Sequence, residues 1–160
     1  MNSVATATAT EPETGSALVL RRVFDATPEL VFRLWSDPAR VKEWWHPKGF
    51  TTPVFDMDFR VGGAYRYCIR SNEHQGWAHG IYQEIDAPHR LAMTFQWETG
   101  DPAHDIATLI TLTFEAQGEA KTLLTFRQAP FSSESERKSH GEGWRQVLDA
   151  FALSLEGEPS

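Results

Sequence analysis

Through the middle of this chain apolar and polar residues alternate with a period of two, and near the C-terminus the period becomes that of a helix. Phe55, Met57 and Phe59 alternate with Asp56, Asp58 and Arg60, and Tyr65, Tyr67 and Ile69 alternate with Arg66, Cys68 and Arg70. Ile110, Leu112 and Phe114 share one parity, with Thr111 and Thr113 on the other. Successive side chains of a strand point to opposite faces, so these are half-buried strands. Residues 77–85, 122–126 and the run Leu91, Met93, Phe95, Trp97 read as further strands, separated by turns at Gly62-Gly63, 71–76, 86–89 and 117–120. Strands this closely spaced predict an antiparallel meander.

Helices are expected at its two ends. Leu18 to Phe24 is rich in Leu and Val and reads as a first strand. Thr27, Pro28 and Glu29 then supply a hydroxyl cap, a proline at the first helical position and an acid in the first turn. Val31, Leu34 and Trp35 form that helix's buried side. Ser36-Asp37-Pro38 ends it and opens a second short helix reaching about Trp45, which Pro47 and Gly49 stop. At the other end Trp144, Val147, Leu148, Phe151 and Leu155 fall in one helical stripe closed by Gly157 and Pro159; residues 132–139 are loop or helix start. The predicted fold class is α+β: a curved antiparallel sheet wrapped around a long C-terminal helix, with two short helices after the first strand.

At 160 residues the chain suits one domain, expected over residues 17–158. Residues 1–16 alternate Ala and Thr and then carry Glu, Pro and Gly, which predicts a tail without fixed structure. A net charge of −7 and the lack of any basic run argue against binding to nucleic acid. No stretch approaches the ~20 apolar residues needed to cross a bilayer, so membrane insertion is not expected. The N-terminus lacks a basic start and an apolar centre, and Cys68 is the single cysteine, so the expected location is cytoplasmic.

Several landmarks then occur in order: Arg22 with Phe24-Asp25-Ala26, Asp37-Pro38, Trp44-Trp45 with Pro47, Asp58-Phe59-Arg60 with Gly62-Gly63 and Tyr65, residues 80–85 with Pro88 and Leu91, and Gly143-Trp144 with Leu148. Together they resemble the START-like (SRPBCC, helix-grip) superfamily and, within it, the activator of heat-shock protein 90 ATPase-like family. The resemblance covers roughly residues 18–157. It implies a cavity between sheet and terminal helix, and relatives that are mostly bacterial and bind lipids, hormones or polyketides. Some relatives cyclise polyketides, and one branch stimulates a chaperone ATPase. That last role belongs to a eukaryotic protein with an additional N-terminal domain, for which residues 1–17 are too short, so a chaperone partner is not expected.

On this reading the chain binds a small hydrophobic molecule, aromatic or lipid-like, in a cavity built from Trp45, Tyr65, Tyr67, Phe95, Trp97, Leu112 and Phe126 facing Trp144, Leu148 and Phe151. The alternative for the same side chains is that they simply fill the core. His79 is the histidine candidate for the pocket, because it shares a strand face with Trp77 and Ile81, but a structural or solvent-facing histidine is the favoured alternative, and which face of 77–85 points into the cavity is left open. His46 suits a helix end, His74, His89 and His104 fall in loops, and His140 stacks one helical turn before Trp144. Asp56 and Asp58 are expected on the solvent face, and Glu84 is expected to pair with Arg22. No catalytic residue stands out. A cyclase or hydrolase using the cavity, with His79, Glu84 and the tyrosines as acids or bases, is the enzyme alternative; a chaperone-assisting interaction module is the other. No cofactor is implied, no histidine or cysteine spacing suits a metal, and a homodimer is left open.

Overall fold

Thr27 caps the first helix, its Oγ1 accepting from the backbone N–H of Leu30 at 3.3 Å, and Asp37 caps the second by accepting from Ala39 at 3.0 Å. These two caps turn the chain twice within ten residues and set Trp35 against Trp44, ring centroids 4.7 Å apart. In the computed structural model, which describes residues 9–10, 17–101 and 107–157, the elements run in the order β1 (Ala9–Thr10), β2 (Leu18–Phe24), α1 (Pro28–Ser36), α2 (Pro38–Trp44), β3 (Thr51–Met57), β4 (Ala64–Arg70), β5 (Gln75–Asp86), β6 (Arg90–Trp97), β7 (Thr108–Gln117), β8 (Lys121–Ala129) and α3 (Glu134–Glu156).

All strands join one antiparallel sheet in the order β1-β2-β8-β7-β6-β5-β4-β3. The curved sheet with a long terminal helix and two short helices after the Leu18–Phe24 strand is the α+β helix-grip architecture expected from the sequence. Register shifts between Thr51 and Val54 in β3 and between Tyr82 and Glu84 in β5 interrupt the ladders; such bulges bend a strand and increase its twist. Along the inner face lie Tyr65 and Tyr67 of β4, Met93 and Phe95 of β6, Ile110, Leu112 and Phe114 of β7, and Leu124 and Phe126 of β8, all buried. Against them α3 sets Trp144, Val147, Leu148 and Phe151, also buried. α1 and α2 close one end of this core, where Trp44 meets Phe151 at 4.6 Å.

Three details differ from the sequence reading. Ala9–Thr10 form a two-residue strand paired with Arg21 and Leu20, inside the segment expected to be a tail; the remainder of residues 1–16, like His104, lies outside the described residues. β3 ends at Met57, and 58–63 form a turn in which Gly63 N–H donates to Arg60 O; Phe59 leaves the strand but still packs between Phe32 and Tyr82. Residues 132–139, open between loop and helix start, resolve as the start of α3 at Glu134, because Ser133 caps it by accepting from Glu136 N–H at 3.1 Å and Glu134 and Glu136 complement its first turn. Glu84 does not pair with Arg22. It accepts from Arg90 at 2.9 Å on a half-exposed surface, while Arg22 points inward and meets Asp149 of α3 at 2.6 Å. Asp56 and Asp58 are exposed, as expected.

Among the described residues, no helix is long and apolar enough to cross a membrane.

Candidate functional site

β5 carries small residues on its inner face because its neighbours are large. Ala78 is the cross-strand partner of Tyr67, and Gly80 that of Tyr65. A Cβ at Gly80 would overlap the Thr94 carbonyl oxygen and sit 2.6 Å from the Tyr65 ring. This parity places His79 on the outer face with Trp77 and Ile81, so the solvent-facing alternative is the one realised and His79 is removed from the pocket candidates. There its Nδ1 lies 2.8 Å from Glu98 Oε2, and Glu98 also accepts two hydrogen bonds from Arg66 at 2.9 and 2.8 Å. The Arg66 guanidinium in turn lies 4.0 Å over the Trp77 ring. The hydrogen bonds from Arg66, and secondarily from His79, hold the Glu98 carboxyl at about 2, below the usual carboxylate range.

Most of the interior is filled. Tyr65, Leu112, Phe126, Leu148 and Phe151 are packed core and do not border open space; the Tyr65 hydroxyl donates to Thr94 O at 2.6 Å. For these residues the space-filling alternative is the one realised. Phe95 lines only a recess of about 30 Å³ shared with Trp97, Thr108, Gln128, Phe131 and His140.

A pocket does open where the end of α2, the inner face of β4, the end of β6 and the middle of α3 converge. Its volume is about 150 Å³. Four of the expected residues wall it: Trp45, Tyr67, Trp97 and Trp144. The rings are set at steep angles, Trp45 to Tyr67 at 68°, Trp45 to Trp144 at 84° and Tyr67 to Trp97 at 67°. Ile69 and Val147 add aliphatic wall, and His46, Pro47, Ser139, His140 and Gly143 border it, none of which the sequence assigned to a site.

Each wall is held by a particular contact. Trp45 sits just past the end of α2, where its carbonyl oxygen accepts from the buried Thr52 hydroxyl. The Trp144 indole N–H donates to Gln128 Oε1 at 2.8 Å, Gln128 Nε2 donates to Thr108 Oγ1 at 2.8 Å, and the Thr108 hydroxyl donates to Phe95 O at 3.2 Å. Gln128 is fully buried, and this relay satisfies it. The Trp97 indole N–H donates to His140 Nε2 at 3.1 Å, and His140 Nδ1 lies 2.9 Å from Glu136 O. His140 therefore carries its proton on Nδ1 and donates to that carbonyl. Both ring nitrogens of His46 lie within 3.3 Å of backbone carbonyls, those of Pro47 and Glu43.

The pocket is thus largely apolar. Among the described residues, no Asp, Glu, Lys or Arg lines it. Its two histidines have their nitrogens engaged with protein groups. Burial pushes the Tyr67 phenol well above its ordinary value, against a smaller opposing effect of a hydrogen bond from the Trp45 side chain. Burial raises Tyr65 and Tyr82 in the same direction. Such groups donate hydrogen bonds but do not exchange protons near neutral pH. His79 and Glu84, the other acid–base candidates, are on the sheet's outer surface.

Two glycines of α3 differ in what surrounds them. A Cβ at Gly141 would lie 3.1 Å from Leu18 Cδ1, so glycine there lets the helix approach β2. At Gly143 a Cβ would meet nothing within 4 Å. Glycine in a helix interior costs about 1 kcal/mol relative to alanine, and packing does not require it at this position. What it does is leave the pocket border open.

The model of a family described as "Activator of Hsp90 ATPase homolog 1-like protein" matches residues 25–156. No curated protein matches the chain. Solved structures do. Protein CV1439 from Chromobacterium violaceum is 26% identical, with 89% of this chain and 99% of that chain covered at a TM-score of 0.75. The AHSA1 protein from Silicibacter pomeroyi is 23% identical, with 88% and 98% covered at 0.76. A Rhodobacter sphaeroides protein is 20% identical, with 94% and 99% covered at 0.80. The last two likenesses establish a shared fold.

Proposed function

The chain belongs to the Activator of Hsp90 ATPase homolog 1-like family, and from that premise we propose that it binds a small hydrophobic molecule, about one aromatic ring in size, in the pocket between β4, β6 and α3. The observation that carries this reading is the pocket itself: about 150 Å³ walled by Trp45, Tyr67, Trp97 and Trp144. Apolar concave sites with a few polar groups are the usual small-molecule sites. A cavity of about 150 Å³ lined by apolar side chains is large enough to take up benzene. A long acyl chain would not fit without parting α3 from the sheet.

Gly143 supports the reading and supplies its test. Replacing it by phenylalanine puts a ring beside the pocket, starting from a position with open space around Cβ, and improves helix propensity. The experiment is a titration of toluene into wild type and Gly143→Phe. It is followed by tryptophan fluorescence, since three of the walls are indoles, and by thermal unfolding. Wild type should show a saturable fluorescence change and a midpoint rising with ligand concentration, as expected when only the native state binds. Gly143→Phe should be at least as stable and should lose both responses. Toluene responses that never saturate, or that survive unchanged in Gly143→Phe, would refute the assignment.

A further inference from the structure

Of the four aromatic walls, three have a polar edge, or rest on a partner, already committed to the protein. The Trp144 N–H is taken by Gln128 and the Trp97 N–H by His140. Trp45 is anchored through its backbone, whose carbonyl accepts from Thr52, and its ring meets Tyr67 edge to face with centroids 5.7 Å apart. Tyr67 is the exception. It is 2% exposed, and among the described residues its own hydroxyl proton is donated to no protein group. Tyr65, two residues away on the same strand and the same face, is buried to the same degree and does have an acceptor in Thr94 O. Tyr67 lines the pocket, and its hydroxyl is not one of the sealed polar atoms left without a partner, so its unused donor is available to a molecule held there.

We propose that the Tyr67 hydroxyl is the specificity determinant of this pocket, donating to a hydrogen-bond acceptor carried by a neutral aromatic ligand: an aryl ketone, aldehyde or ether. The proposal rests on the binding reading above and narrows it. Two features support it. The other polar groups of the lining, His46 and His140, are engaged with the backbone and with Trp97, and Ser139 lies exposed at the rim. Finally, among the described residues no Lys or Arg borders the space. A carboxylate or phenolate would be stripped of water there without a compensating charge, which restricts the acceptor to a neutral one.

Three probes of similar ring size separate the contributions: toluene for the apolar walls alone, acetophenone for walls plus a neutral acceptor, and benzoate for walls plus a charge. Dissociation constants are measured by isothermal titration calorimetry on wild type and Tyr67→Phe, a change that removes one oxygen and keeps the ring. Wild type should bind acetophenone about five- to tenfold more tightly than toluene, the worth of one hydrogen bond, and benzoate more weakly than either. In Tyr67→Phe the preference for acetophenone should vanish while toluene affinity stays within twofold. Toluene binding with no acetophenone preference in wild type, or a preference that persists in Tyr67→Phe, overturns this inference and leaves the binding reading standing. Failure of all three probes to bind wild type overturns both. Benzoate binding as tightly as acetophenone overturns the neutrality of the ligand.

Discussion

The buried relay from Trp144 through Gln128 to Thr108 can be tested as a thermodynamic unit. Gln128 is fully buried, and Trp144 and Thr108 are 6% and 8% exposed, so no solvent is available to replace a lost partner. Gln128→Met keeps the length and volume of the side chain but removes the acceptor of the Trp144 N–H and the donor to Thr108 Oγ1. The orphaned N–H costs about 1–3 kcal/mol. Thr108 still donates to Phe95 O, so its loss is smaller. A net destabilisation of about 2 kcal/mol follows, a sizeable share of the 5–15 kcal/mol typical of a domain. Trp144→Phe removes the N–H and the larger ring, orphans Gln128 Oε1 and opens some space beside Phe95 and Phe126, for about 3 kcal/mol. In the double variant no polar group is left stranded, because donor and acceptor are gone together. Its cost should therefore fall short of the sum of the single costs by about 2 kcal/mol. Urea unfolding of the four proteins measures this, with slopes of about 1–3 kcal/mol/M. Additivity to within about 0.5 kcal/mol would show that the Trp144 N–H does not depend on Gln128, and the account of how this wall of the pocket is oriented would be wrong.

Two further variants probe the sheet on which the site is built. Glu98 is held at about 2 by Arg66 and His79, below its unfolded value, so the stability it contributes is present above about pH 4.5 and is lost as pH falls through 2. Glu98→Gln should therefore be less stable than wild type at pH 6, with the difference shrinking steadily on acidification; a difference that stays constant in urea midpoints down to pH 3 contradicts the ion pairing. Gly80→Ala forces a methyl into the Thr94 carbonyl and the Tyr65 ring, so β5 and β6 must part locally. A cost of about 3 kcal/mol, or a fall of about 6–12 °C in the thermal midpoint, is expected, and a wild-type melting curve would refute the proposed close approach.

The strands and helices were legible because each leaves a local signature. Residues of one parity in β4 face the core and those of the other face water, and Thr27, Asp37 and Ser133 mark helix starts through hydroxyl or carboxylate caps. The signal for the early start of α3, Ser133 followed three residues later by Glu136, is in the sequence, but the polar run around it hides the helical stripe. The candidacy of His79 rested on its sharing a strand face with the apolar Trp77 and Ile81. The inner face is in fact the one with Ala78 and Gly80, since the rings of Tyr67 and Tyr65 on β4 already occupy that space, while Trp77 is covered from outside by Arg66. Which strand yields space to which is a property of the pair, and strand pairing is not readable from either strand alone.

The pocket was less legible than the fold for the same kind of reason. A void exists where neighbouring side chains stop short of one another, and each wall residue has the composition of ordinary core. His140 reads from sequence as a neighbour of Trp144 one helical turn away, yet its decisive contact is with Trp97, 43 residues distant. The Tyr67 hydroxyl becomes notable only when the surroundings of every possible acceptor are known. The two glycines of α3 make the point most directly. They are two residues apart in one helix, and both weaken it. At Gly141 the missing side chain is compensated by contact with Leu18, so the glycine belongs to packing; at Gly143 no atom takes up the space, so the glycine belongs to the pocket. A phenylalanine at each position should therefore act in opposite ways, disrupting the fold at 141 and closing the pocket at 143.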